Sequence, residues 1–212
     1  MFRWGRRPWI AAMCTALLAA PAAASPAEMA GVRFSAEGRQ LVDWVLRSAD
    51  QQGLPFAVVD KKMARIYVFD ADARLVGHSA VLLGQTVGDH TVPGVGLRAQ
   101  TNSVGTDERT TPAGRFEAMP GRNLQGEHVV WADYASAFAI HRLRPGKALK
   151  ARELRLASHS PDDNRASYGC VVVPVAFYEE VVERVLGKTR SVVYVLPEAR
   201  PVQALFSALA AQ

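Results

Sequence analysis

Cysteine is scarce. Two in 212 residues, Cys14 and Cys170, cannot build the disulfide framework of a small secreted scaffold or a zinc site with four thiolates, and their wide separation excludes the close pair of a zinc finger. Long apolar runs are missing too. The stretch Ile10 to Ala20 falls well short of the about 20 residues that a membrane-spanning helix needs. There is no Gly-x-x-x-x-Gly-Lys-Ser/Thr loop for nucleotide phosphates. The string Gly94-Val95-Gly96-Leu97-Arg98-Ala99 follows Thr91-Val92-Pro93 with no clear preceding strand, following helix or βαβ spacing, so a dinucleotide site is not expected there. Histidine–aspartate pairs such as Asp89-His90 lack a helix-spaced third ligand, and no metal site is expected.

What remains is ordinary globular material, with 49% hydrophobic and 21% charged residues, which disfavours disorder, collagen-like and coiled-coil classes. The length suits one domain with additions. Met1 to Trp9 carries Arg3, Arg6 and Arg7 without an acid, an apolar stretch follows, and Pro21-Ala22-Ala23-Ala24-Ser25 offers a small-residue cleavage site. These features read as a signal peptide over 1–24. Its removal would take three arginines from 25 Lys+Arg against 20 Asp+Glu, so the net charge falls from +5 to +2 (22 − 20). Nucleic acid is therefore not an expected partner, and no integral membrane span is expected after removal. Cleavage would also remove Cys14. Cys170 would then be a single thiol in an oxidising compartment, either paired between molecules or chemically used.

Periodicity organises the rest. After a short lead, Ser35 precedes apolar positions Leu41, Val42, Val45, Leu46 and Ala49, with Gly53 and Pro55 beyond them, which predicts an amphipathic helix within 25–55. Phe56 to Asp60, Ala64 to Asp70 and Arg74 to Leu83 predict a meander of antiparallel strands. A Gly/Pro-rich loop covers Gly84 to Gly96. Further strands are expected at Arg115 to Met119, His128 to Ala132, Ala137 to Leu143 and Ser191 to Leu196. The polar stretch Arg144 to Arg165 reads as a long loop of the kind that is often functional. Pro174, placed at the first helical position, opens a helix through Leu186 that Gly187 stops, and Pro201 to Ala211 predicts a terminal helix within 198–212. The fold class is a single mainly-β or α+β domain with a mixed sheet and a few short helices, its body at 56–197.

Cys170 stands in Ser167-Tyr168-Gly169-Cys170-Val171. One reading makes it a small hydrophobe opening a buried strand. The other makes it a nucleophile, entered through a glycine that permits close approach of a substrate. A thiol with an ordinary pKa of about 8.5 needs a neighbouring base or cation. His141 closes the strand Phe138-Ala139-Ile140 and is the first candidate base. His159, eleven positions before Cys170, is the alternative.

At these residues the chain resembles the YkuD-like L,D-transpeptidase catalytic domains of bacterial cell-wall enzymes. The resemblance rests on Ala139-Ile140-His141, on Ser167-Tyr168-Gly169-Cys170-Val171, on Thr111-Pro112-Ala113-Gly114-Arg115-Phe116 and on the strands within Asp60 to Phe69. It covers roughly residues 56–197. Three departures stand out: Tyr168 replaces a frequent His or Lys, Val172 replaces an Arg or Asn, and the His141 to Cys170 interval is longer than usual. The resemblance implies an exported, periplasmic enzyme with no cofactor, acting on peptidoglycan stem peptides. In it Cys170 is the nucleophile and His141 the base, and the backbone of Gly169 and Cys170, with Tyr168 and Ser167 beside them, surrounds the oxyanion. Arg165 and Asn164 become candidate substrate contacts. A hydrolase, amidase or carboxypeptidase with the same Cys/His pair, and a non-catalytic peptidoglycan-binding module, remain open. So does the oligomeric state.

Overall fold

The computed structural model describes Met29, residues 31–207 and Leu209; the expected signal peptide and Cys14 lie outside the described residues. The first helix, α1 (Ala36–Ser48), begins where Ser35 Oγ accepts the Gly38 N–H at 2.9 Å, and it ends at Ala49 in the left-handed conformation. That cap satisfies one of the four N–H groups that a helix leaves without intrahelical partners. Leu41, Val42 and Val45 form its buried stripe.

Ten strands follow: β1 (Phe56–Asp60), β2 (Arg65–Phe69), β3 (Leu75–Ala80), β4 (Leu83–Gly84), β5 (Gly114–Arg122), β6 (His128–Asp133), β7 (Phe138–Arg142), β8 (Arg165–Ser167), β9 (Val171–Val173) and β10 (Ser191–Val195). Eight of them make one mixed sheet in the order β3-β2-β1-β10-β5-β6-β7-β9, and β4 pairs with β8 separately. Two antiparallel meanders, β1-β2-β3 and β5-β6-β7, are joined by β10, which runs parallel to β1 and antiparallel to β5. At the far edge β9 runs parallel to β7, with Ile140 level with Val171 and His141 level with Val172. A parallel pair needs a long crossover, and residues 143–170 provide it.

Side chains alternate between faces along a strand, and here both faces are covered. Phe56, Val58, Tyr67, Phe69, Val192 and Tyr194 pack under α1 with Phe206 and Leu209. Ala57, Val59, Ile66, Val68, Val193 and Val195 join Val130, Ile140, Val171 and Val173 on the other side. The second core is closed by a helical segment made of α4 (Val175–Phe177), a π-helical turn at Tyr178–Val182 and α5 (Glu183–Val185), which contributes Tyr178, Val182 and Leu186. No helix among the described residues is long and apolar enough to cross a membrane.

The structure corrects four expectations. The supposed loop Arg144 to Arg165 contains a helix, α3 (Leu149–Ala157), with no fully buried residue. Its Leu149 and Leu156 rest on a small cluster of Leu82, Leu143 and Val172, and a polar helix held by so few contacts leaves only a weak apolar periodicity. Another helix, α2 (Val95–Gln100), does follow Gly94, although no strand leads into it. Gly96 is there for packing, because a Cβ would lie 2.1 Å from the Ala135 carbonyl oxygen. Pro174 is extended (φ −54°, ψ 147°) and caps α4 from outside, so the first helical position belongs to Val175. In place of the expected terminal helix, the described residues show a 3-10 turn at Val202–Ala204 and 3-10 geometry again at Ser207 and Leu209.

Candidate active site

Cys170 lies one residue before β9 and two before Val172, whose neighbour on β7 is His141. Paired residues on adjacent strands share a face, and alternate residues along a strand return to it. Cys170 itself lies in the bend that leads into β9, with its thiol against the backbone of Ala137 and Ala139 beside the strand that carries His141, while Ile140, Val171 and Val173 enter the main core. His141 is 9% exposed. Its Nδ1 lies 2.8 Å from the Arg142 carbonyl oxygen. A carbonyl can only accept, so Nδ1 carries the proton and Nε2 is left with its lone pair.

Burial, followed by the nearby Arg144 guanidinium, lowers the His141 pKa to about 4, against the opposing effects of the Arg142 carbonyl and Glu127. Glu127 bridges Arg142 at 3.0 Å and Arg144 at 2.7 Å, so this corner of the site is a small charged network around a neutral imidazole. Burial pushes the Cys170 thiol above its ordinary value, while a backbone hydrogen bond at Ala139 and the Arg144 charge pull it back. The thiol donates to the Ala137 carbonyl at 3.3 Å. No hydrogen bond joins it to the imidazole among the described residues. Both groups are thus uncharged at neutral pH, and the pair is not a ready-made thiolate–imidazolium. Any nucleophilic attack by Cys170 would require removal of its proton as the attack proceeds.

The loop that presents the thiol is pinned from three sides. Gly169 has φ +127°, and a Cβ there would sit 2.8 Å from the Thr110 carbonyl oxygen; no other residue fits this backbone at this approach. Its carbonyl accepts from Thr111 Oγ1 at 2.9 Å, and Thr111 Oγ1 in turn accepts the Gly84 N–H at 2.8 Å. Ser167 Oγ accepts the Gly169 N–H at 3.1 Å and donates to the Cys170 carbonyl at 2.6 Å. Ser167 is therefore a strut of the loop. The Gly169 N–H, expected at the oxyanion, is already engaged by that strut.

The pocket in front of the thiol offers about 60 Å³ and is lined by Tyr168, Gly169, Cys170, Thr110, Pro112 and Phe138, among others. Its wall includes Val95 and Ala99 of α2, so the Gly/Pro-rich loop helps to build the site. Tyr168 is 45% exposed, and the Arg109 guanidinium lies 3.9 Å above its ring centroid. Arg109 also donates to Gln85 and to the Val104 carbonyl.

The two expected substrate contacts are placed elsewhere. Asn164 is 2% exposed and donates to the Val81 carbonyl at 2.7 Å, so a substrate cannot reach it. Arg165 is tied to Glu198 in a two-point ion pair. His159 is exposed after α3, and neither His159 nor His141 lines the thiol pocket. Of the two histidines considered as base, His141 lies on β7, the strand paired with β9, and His159 lies in no strand.

Sequence reasoning missed three contributors. Thr110 and Thr111 open the Thr-Pro-Ala-Gly segment, whose pattern was visible while its backbone contact with Gly169 was not. The third is Lys61, 1% exposed, in the turn between the first two strands. No signal in the sequence marks it as buried.

No protein-family profile and no curated protein matches this chain. Several of the solved structures to which it is similar are L,D-transpeptidases. One from Enterococcus faecium, a C442S mutant, is 17% identical, with 66% of this chain and 49% of that one covered and a TM-score of 0.36. One from Stackebrandtia nassauensis is 12% identical, with 79% and 69% covered and a TM-score of 0.39. The helical cell-shape-determining protein Pgp2 of Campylobacter jejuni is 14% identical, with 76% and 57% covered and a TM-score of 0.44. This chain spans about half the length of the Enterococcus faecium enzyme.

Proposed function

We propose that the protein is an exported cysteine L,D-transpeptidase that acts on peptidoglycan tetrapeptide stems in the periplasm. What supports this reading is the position of Cys170 directly before β9, the strand paired with the one that carries His141, whose Nδ1 is held by the Arg142 carbonyl so that Nε2 keeps its lone pair. The motif resemblance supplies the substrate class.

In the proposed reaction, His141 Nε2 takes the thiol proton as Sγ attacks the carbonyl of the diaminopimelate to D-Ala bond. The carbonyl π electrons move to oxygen, and the Cys170 N–H faces the resulting oxyanion; a single such donor is worth about 2.7–4 kcal/mol where this has been measured. Collapse breaks the C–N bond, the imidazolium gives its proton to the departing nitrogen, and D-Ala leaves behind a thioester on Cys170. An acceptor amine then attacks the thioester. Its proton passes to His141 and on to the departing sulfur, which regenerates the thiol. Water in place of the amine gives the carboxypeptidase outcome.

The test is incubation of residues 25–212 with tetrapeptide muropeptides, with D-Ala release and cross-linked products read by mass. Wild type is expected to give both, Cys170→Ala neither, and His141→Ala a loss of about 10²–10⁴-fold, the usual contribution of a general base, with His159→Ala unchanged. Equal product from Cys170→Ala, or none from wild type, rejects the proposal. The second outcome would favour a non-catalytic peptidoglycan-binding module, a reading that gains some support from the thiol's bond to the Ala137 carbonyl in place of the imidazole.

A further inference from the structure

Lys61 is a buried lysine away from the thiol pocket. Its ammonium donates to the Gly88 carbonyl at 2.6 Å, to Asp89 Oδ1 at 2.7 Å and to the Thr111 carbonyl at 2.8 Å, with Glu198 Oε1 at 3.3 Å. The side chain is fully buried, and those of Asp89 and Glu198 are nearly so. An ammonium has three protons to donate, and here each has a short acceptor. The acceptors are themselves tied down: Asp89 accepts the backbone N–H groups of Glu198 and Ala199 at 2.8 and 2.9 Å, Glu198 accepts the Gly88 N–H at 3.0 Å, and the two carboxylates also face Arg200 and Arg165 respectively.

Removing such a group from water is costly, and a buried ion pair is a poor source of stability compared with apolar packing of the same volume. What it does provide is a fixed position for each acceptor. One of those acceptors is Thr111, whose hydroxyl donates to the Gly169 carbonyl one residue before the thiol. We propose that Lys61 is a positioning residue for Cys170, acting through Thr111 to hold the Gly169–Cys170 peptide and with it the thiol in its recessed setting. The chain of contacts is short: ammonium to Thr111 carbonyl, Thr111 hydroxyl to Gly169 carbonyl, Gly169 to Cys170. Thr110, immediately before Thr111, supplies the carbonyl oxygen against which Gly169 packs, so displacement of Thr111 moves both constraints on the loop together.

The proposal rests on the acyl-transfer reading only for its consequence in catalysis, and it is tested on the thiol itself. The measurement is the rate of Cys170 alkylation by iodoacetamide against pH, far below the thermal midpoint, on full-length mature protein checked by circular dichroism. Lys61→Met and Thr111→Val, both nearly isosteric, are expected to release the loop, let water reach the thiol and lower the pH midpoint of alkylation by about one pH unit. That makes alkylation roughly tenfold faster at pH 7. Thr111→Ser, which keeps the hydroxyl, is expected to match wild type. A fall in Tm with an unchanged alkylation profile assigns Lys61 to stability alone and overturns the proposal. So does an altered profile in Lys61→Met with an unaltered one in Thr111→Val. Should Lys61→Met fail to fold, Asp89→Asn, which weakens the hold on the ammonium, takes its place under the same criteria. Absence of D-Ala release from wild type would reject the acyl-transfer reading and leave this result standing.

Discussion

At the scale of single residues, the site is built by withholding charge. His141 is kept neutral by burial and by Arg144, and Cys170 is kept protonated by burial, so each would act only with the other. The histidine leaves a signature in stability. Its folded pKa of about 4 lies below the ordinary 6.5, so on acidification the unfolded chain takes up the proton first. The stability associated with the neutral imidazole is complete above about pH 6.5, is lost as the pH falls towards 4, and changes no further below that. His141→Gln, which cannot titrate, is therefore expected to show a flatter plot of Tm against pH between 6.5 and 4 than wild type does. Parallel curves from calorimetry would show that burial does not hold the imidazole neutral. The residues proposed for the chemistry stood out because cysteine is scarce and both Cys170 and His141 stand in recognisable strings. Lys61 did not: a lysine beside another lysine in a polar turn carries the same pattern whether it is solvated or enclosed, and only the carboxylates brought from Asp89 and Glu198 distinguish the two.

At the scale of elements, the strands were the readable part, because alternation and β-branched runs are written locally. Phe56–Asp60 forms as the pattern predicts, buried along its whole length, and α1 begins at the serine that its cap requires. Ser35→Ala should remove the Gly38 N–H partner and cost about 1 kcal/mol. In a chain of this size that is a fall in Tm of roughly 2–4 °C, measurable by thermal melt, and no fall would mean that the cap is redundant with the packing of Leu41, Val42 and Val45. Two elements were hidden for physical reasons. The polar face of α3 dominates its sequence, since only Leu149 and Leu156 touch the small cluster around Val172. The π-turn at Tyr178–Val182 adds a residue to a helical turn without changing composition, and it places Tyr178 where its hydroxyl lies 2.9 Å from His128 Nδ1. That contact links the helix to β6, a tertiary relation with no local trace.

At the scale of the molecule, one sheet serves two cores, because alternate residues of β1, β2 and β10 face opposite sides. Neither core can dissolve without exposing strands that belong to the other, so unfolding should be a single event. In urea, the loss of near-UV circular dichroism, which reports side-chain packing, is expected to follow the loss of far-UV circular dichroism at the same midpoint. Leu41→Ala should lower both midpoints together, by an amount equivalent to about 2–5 kcal/mol. A near-UV transition that precedes the far-UV change would mean that the two cores separate. The order of strands carries a further consequence, for the making of the protein. The strand that joins the two meanders is the last of the ten in sequence, so a chain emerging from its N-terminal end can form each meander but leaves β1 and β5 with unpaired edges until β10 arrives. Contacts of such long sequence separation form slowly, and exposed edges invite association with other chains. The seam between the two meanders is therefore the last part of the sheet whose strands are all present as the chain is made, and it closes only when β10 reaches β1 and β5.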